Sequence, residues 1–232
     1  MFLIFDTETT GLPKNFKAPY TDTDNWPRMI QLAWQLHDDE GKLIEVKDYI
    51  VKPVGFDIPF NATKIHGIST QKALEEGHDL RFVLEEFEKD LERAKYNIGH
   101  NIKFDVNIVG CEAVRENFET VLHDKLVLDT CSEITANYCK IPGGRGGKFK
   151  LPKLMELHDF LFNESFNEAH NAAFDVEATS RSFLELVRRG LFTAAQLDVT
   201  PGFFEKYKAA NPEQIKAIGL AVEEKAIRSA EI

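Results

Sequence analysis

Phe2-Leu3-Ile4-Phe5-Asp6-Thr7-Glu8-Thr9-Thr10-Gly11 runs from an apolar tetrapeptide into alternating acids and closes on a turn. Residues 2–5 read as a short buried strand with carboxylates emerging at its end. Side chains alternate faces along a strand, so Asp6 and Glu8 project to one side while Phe5 and Thr7 point to the other. Two carboxylates so close repel each other unless a cation lies between them. An isolated Asp-x-Glu is usually a pair of solvent-facing loop acids. Here an apolar strand precedes it and Thr-Thr-Gly follows, which points to a site.

Outward from this strand, residues 29–36 and 43–51 are further strands. Asp38-Asp39-Glu40-Gly41 between them is polar and ends in glycine, as a hairpin loop should. The three strands open an antiparallel meander. Helices then take over. Residues 61–66 form a short turn of helix, and residues 80–94 carry Leu80, Val83, Leu84, Phe87 and Leu91 on one face. A strand over 96–99 leads into a helix over 102–117, with Asn101 as its N-cap. A fifth strand at 127–128 precedes helices near 131–138 and 152–162, and a last helix over 172–189 stops at Gly190. The order β-β-β-α-β-α-β-α-α describes an α/β fold, a mixed sheet flanked by helices. Phe82, Phe87, Phe104 and Phe183 read as core residues.

The 232-residue chain suits one domain with an appendage, or at most two small domains. Residues 1–190 form the domain, and the polar, helix-forming stretch 191–232 reads as a C-terminal extension or linker. Hydrophobic residues at 43%, with eighteen Phe, supply ample core material. Lys plus Arg total 28 against 38 Asp plus Glu, a net charge of −10 that argues against broad electrostatic adhesion to DNA. Bound divalent ions would reverse that locally, because clustered carboxylates account for part of the excess. Cys111, Cys131 and Cys139 lack Cys-x-x-Cys spacing, so neither a disulfide framework nor a zinc knuckle is expected. The opening apolar run is too short for a signal peptide and nothing approaches membrane-spanning length, so a cytoplasmic protein without membrane partners is expected. Pro142-Gly143-Gly144-Arg145-Gly146-Gly147-Lys148 lies in a basic stretch but lacks the ending and context of a Walker A or dinucleotide loop. A nucleic-acid contact and a mobile surface loop are both open readings for it.

Three further residues join Asp6 and Glu8. Asp105, in Gly99-His100-Asn101-Ile102-Lys103-Phe104-Asp105, lies one turn into a helix that follows a strand, where ligands of open sheets gather. Its plain alternative is an acid favoured by the helix dipole. His100 reads as a hydrogen-bonded structural histidine. His170 and Asp175 are five apart, about 140° on an ideal helix, so they converge only if His170 sits on the loop before it. A base near neutral pH beside a metal ligand is a sensible pairing.

Phe5-Asp6-Thr7-Glu8-Thr9-Thr10-Gly11-Leu12-Pro13, Gly99-His100-Asn101-x-x-Phe104-Asp105 and His170-x₄-Asp175, in that order, closely resemble the DEDDh, or DnaQ-like, 3′-to-5′ exonuclease family. Ile65-His66-Gly67-Ile68-Ser69 and Asp129-Thr130 match further family elements, and the resemblance covers roughly residues 1–190. It implies a ribonuclease H-like fold, with five strands in an antiparallel meander followed by parallel strands. It implies two divalent ions, Mg²⁺ or Mn²⁺, on Asp6, Glu8, Asp105 and Asp175, with His170 as general base. Substrate contacts would fall to Thr9, Gly11, Leu12, His66, Ile68, Asn101 and Phe104, with Phe60 as a further wall residue. The substrate would be a nucleic-acid 3′ end, DNA favoured over RNA, releasing nucleoside 5′-monophosphates. The opening also resembles bacterial DNA polymerase III chains, which implies proofreading or repair beside an alpha subunit, or fusion to a polymerase. The alternatives are an exoribonuclease trimming RNA ends and a non-catalytic binding module. The full set of acids disfavours the module, since unneeded clustered charges are unfavourable. Two features stand apart from the family pattern: the long polar loop over 14–26 and the glycine-rich stretch near Gly143.

Overall fold

Strand β1, Phe2–Thr9, is the hub of the sheet. It pairs antiparallel with β2, Met29–His37, which pairs antiparallel with β3, Leu43–Ile50. On its other side β1 pairs parallel with β4, Tyr96–Gly99, and β4 pairs parallel with β5, Leu126–Asp129. The sheet order is therefore β3-β2-β1-β4-β5, the mixed arrangement expected. The structure, a computed structural model, describes residues 1–164 and 171–192. The extension proposed for 191–232 falls almost wholly outside them.

Seven α-helices accompany the sheet among the described residues: α1 Phe60–His66, α2 Thr70–Glu76, α3 Leu80–Arg93, α4 Lys103–Arg115, α5 Glu133–Cys139, α6 Leu154–Phe162 and α7 Ala172–Arg188. Helix α2 escapes periodicity because only Ala73 is buried along it. Its start is set by Ser69, whose hydroxyl accepts the Lys72 N–H at 3.1 Å. No helix among the described residues is long and apolar enough to cross a membrane.

Alternation along β1 divides the core. Phe2 and Ile4 face a cluster with Leu157, Phe183 and Leu184 from α6 and α7. Leu3 and Phe5 face a cluster with Trp34, Phe87 and Ile108. Each such side chain removed from water contributes roughly 1.5–3 kcal/mol. Phe82 departs from the expected core: it is 40% exposed and stacks on His78 at the rim. Phe104 is half-buried and packs against the second cluster.

The strand also runs further than its apolar residues suggest. Backbone pairing with β2 continues through Glu8 opposite Gln31 and Thr9 opposite Met29. The pairing with β4 stops at Ile4 opposite Ile98. Residues 5–9 of β1 thus overhang their parallel neighbour, and that gap is where the acids collect.

Candidate active site

Asp6 and Glu8 share the α7 face of the overhang, as alternation requires. Helix α7 crosses β1 and β2 and brings in Asp175 from its first turn. Its start is set twice. Asn171 accepts the Ala173 N–H at 3.1 Å, and Gln31 Oε1, across from Glu8, accepts the Ala172 N–H at 3.3 Å. Asp6, Glu8 and Asp175 then offer oxygens that all lie within 4.8 Å of one another.

Asp105 is outside that tight trio and is held from the other face of the strand. Its Oδ1 accepts the Thr7 backbone N–H at 3.0 Å and the Thr7 hydroxyl at 2.6 Å. The Thr7 N–H is available because β4 has already ended. Neither Thr7 nor Gln31 was singled out in the sequence. A threonine alternating between two acids was the available signal for Thr7; Gln31 had none.

The expected cap at Asn101 is not formed. Asn101 has φ +66°, α4 begins at Lys103, and no side chain caps it from the Ile102 position. Asp129, at the end of β5, does the equivalent work: its Oδ1 accepts the N–H groups of Asn101 at 2.8 Å and Cys131 at 2.7 Å. With its backbone so held, Asn101 is left exposed at the cleft. His100 is a structural histidine, with Nδ1 2.9 Å from the Thr130 hydroxyl and Nε2 2.9 Å from the Pro152 carbonyl oxygen. A carbonyl only accepts, so the proton is on Nε2. Burial drives its pKa down to about 4, keeping the ring neutral as it ties the 150s segment to β4.

A cleft of about 570 Å³ contains Asp6, Glu8, Asp105 and Asp175 on its floor, with Asn101, Phe104 and residues 151–155 as walls. A second cavity of about 470 Å³ opens beside it and shares Thr7, Glu8 and Phe104. Thr9, Gly11, Leu12 and His66 line this second space. Gly11 has φ +153°, a conformation that side-chain-bearing residues rarely adopt. It lets the chain turn back so that the Thr9 hydroxyl donates to the Gly11 carbonyl at 2.7 Å. His66 is buried, and its Nδ1 accepts the Ile68 N–H at 3.1 Å. Burial lowers its pKa, and the Thr9 backbone offsets part of this. Its Nε2 makes no hydrogen bond of normal geometry among the described residues. Ile68 is only 2% exposed and packs with Ile30, Ile58 and Ala73, so it supports the wall from behind. Ile65, 57% exposed, lines the cavity in its place. Phe60 is exposed nearby, with Lys64 over its ring. His170 lies outside the described residues.

The electrostatics suit a cation. Burial first, then the charges of Asp105, Asp175 and Glu8, hold the Asp6 carboxyl well above its usual range. Burial, then Asp175 and Asp105, push Glu8 up to about 8. Burial lifts Asp105 to about 7 even though the Thr7 hydrogen bonds pull it down. Lone acids in such surroundings keep their protons; divalent ions, which prefer oxygen ligands, would favour the ionised forms. The donor set therefore fits hard divalent cations.

Fold and site together define a nuclease-like carboxylate cleft at the end of a mixed sheet. The exonuclease family RNase_T matches residues 3–183, and the chain belongs to that family, in its DnaQ-like 3′-to-5′ branch. A DNA polymerase III PolC-type protein from Mycoplasmopsis pulmonis (strain UAB CTIP) is 25% identical over 183 residues, 79% of this chain and 11% of its own length. Among solved structures, the zinc-bound E. coli exonuclease I–single-stranded DNA complex superposes with TM-score 0.63 at 24% identity, covering 88% of this chain and 42% of that one. Exonuclease I with a dT13 oligonucleotide gives 0.63 at 23% identity, over 81% and 40%. The chain thus spans about a tenth of the curated relative and two-fifths of the solved ones. The fold is ribonuclease H-like.

Proposed function

We propose that this chain is a metal-dependent 3′-to-5′ exonuclease that releases nucleoside 5′-monophosphates from DNA ends, acting beside or within a DNA polymerase III. The observation that carries the reading is the convergence of Asp6, Glu8 and Asp175 within 4.8 Å on the floor of an open cleft. Similarity to a PolC-type polymerase and to exonuclease I bound to single-stranded DNA supports DNA as the substrate.

Asp6, Glu8, Asp105 and Asp175 would hold two Mg²⁺ or Mn²⁺ ions. Such ions, when bound, supply Lewis acidity at phosphorus and offset charge on the departing oxygen. The cavity bounded by Leu12, Ile65 and His66 receives the terminal nucleotide, and Asn101 and Phe104 flank the scissile phosphate. His170 takes the proton of the attacking water, a role suited to a base that titrates near neutral pH. As the water oxygen bonds to phosphorus the P–O3′ bond breaks. A 5′-monophosphate leaves, and the departing O3′ takes a proton from solvent to become the 3′-hydroxyl of the shortened strand.

The test incubates 5′-labelled single-stranded DNA, mismatched duplex and matching RNA with Mg²⁺ or Mn²⁺, beside Asp6→Ala. A metal-dependent ladder shortening from the 3′ end, absent in Asp6→Ala, is expected, with DNA turned over faster than RNA. Intact label in every lane would overturn the reading, and faster RNA turnover would make the enzyme an RNA trimmer. His170→Ala should slow the chemistry roughly 10²–10⁴-fold while calorimetry still records metal binding. Full activity of that variant across pH would remove the base role.

A further inference from the structure

A locally basic stretch of this acidic chain borders the cleft. Between Glu133 and Lys153 the sequence holds Lys140, Arg145, Lys148, Lys150 and Lys153 against the single acid Glu133, in a chain of net charge −10. The loop is closed, not loose. Lys150 N–H donates to the Ile141 carbonyl at 2.9 Å. A Cβ on Gly144 would lie 2.3 Å from the Lys148 carbonyl oxygen and 2.4 Å from that of Phe149, so only glycine lets the two limbs meet. Lys148 is further tied to Glu133 at 2.6 Å and Lys150 to Glu156 at 2.5 Å. Arg145 makes no ion pair among the described residues and is exposed.

Arg145, Lys148, Phe149, Lys150 and Leu151 line a cavity of about 420 Å³. Leu151 also lines the carboxylate cleft, so the two spaces share a wall. Phe149 is 40% exposed and Leu151 48%, an aromatic and an aliphatic surface beside Arg145, with Glu133, the acid paired to Lys148, also in the lining. Cations tracking a backbone, with an open ring on which a base can stack, are the elements of sequence-tolerant single-strand binding. An acidic protein segment would match the charge, but it would leave the ring and the continuity with the cleft unused.

We propose that the loop over 141–151 binds the single-stranded segment upstream of the reacting 3′ end, a phosphate against Arg145 and a base on Phe149. This rests on the exonuclease reading above. Strands long enough to reach from the cleft to Arg145 are held there, and very short ones are not.

The experiment compares wild type, Arg145→Ala and Phe149→Ala on a dinucleotide and a 20-nucleotide single strand. For the long strand, each variant should raise KM on the order of tenfold with kcat little changed. The dinucleotide's kcat/KM should hold, which also shows that the variants fold. For Arg145→Ala, the dependence of log KM on log salt should flatten by roughly 0.7, and Arg145→Lys should restore it. Equal losses on both substrates, or a wild type indifferent to length, would overturn the proposal. If wild type cleaves neither substrate, the exonuclease reading fails separately. Anisotropy of labelled dT20 in EDTA then reads the loop directly: binding lost in the variants supports it, and unchanged or absent binding overturns it. Self-association of wild type that the variants abolish, with dT20 binding unchanged, would make the loop a contact between copies instead.

Discussion

Thr7 directs both its donors, backbone and side chain, to one oxygen of Asp105. It has no charge and touches no proposed reacting atom, yet it decides where the fourth acid stands. Thr7→Val keeps the branched shape and the backbone N–H and removes only the 2.6 Å hydroxyl bond. Stability should fall by no more than about 1–3 kcal/mol, while Mn²⁺ affinity by calorimetry drops roughly 10–100-fold. An unchanged dissociation constant would show that Asp105 needs no such hold. The facing of Asp6 and Glu8 was legible, because alternation along a strand is local geometry. The roles within Ile65-His66-Gly67-Ile68 were not: Ile68 went to the core and Ile65 to the cavity, a difference set by how the end of α1 packs.

At the scale of elements, the site is made where strands of unequal length end. β4 stops short and leaves the β1 overhang open, and Asp129 at the tip of β5 pins the turn from which α4 starts. Asp129→Ala leaves the Asn101 and Cys131 N–H groups without that acceptor. It should cost roughly 1–3 kcal/mol in urea unfolding, largely recovered by Asp129→Asn, whose Oδ1 still accepts. If Asp129→Ala cost nothing, or Asp129→Asn cost as much as Asp129→Ala, acceptance by a neutral Oδ1 would not be what holds the turn. The helix itself was legible from residues 102–117, but its cap was not. Asn101 is an ordinary cap residue by type, and only the neighbouring strand shows that the acceptor comes from elsewhere.

For the whole molecule, the raised pKa values of three site acids predict that folding depends on pH. Glu8 moves from an ordinary value of 4.5 to about 8 and Asp105 from 3.8 to about 7, with Asp6 also raised. The folded state binds these protons more tightly than the unfolded chain does. The cluster's contribution is therefore complete below about pH 4 and is lost as pH rises towards 8. In EDTA, melting temperature should fall between pH 5 and pH 8 by at least about 5 °C. Mg²⁺ or Mn²⁺ should restore much of it at pH 8, and an Asp6→Asn, Glu8→Gln double variant should lose most of the slope. The same slope in that variant would place its origin elsewhere.

The sequence by itself determined the strands, most helices, the mixed sheet and the shared facing of Asp6 and Glu8, because periodicity, turn chemistry and alternation are local properties of the chain. Helix α2, with one buried residue, left no such trace. Only the tertiary structure decided that Asp6, Glu8 and Asp175 meet within 4.8 Å while Asp105 is held apart by Thr7. It also decided that a basic loop shares a wall with their cleft. Those relations join residues far apart in sequence, and they depend on where β4 ends and how α7 crosses the sheet, which no stretch of the chain encodes alone.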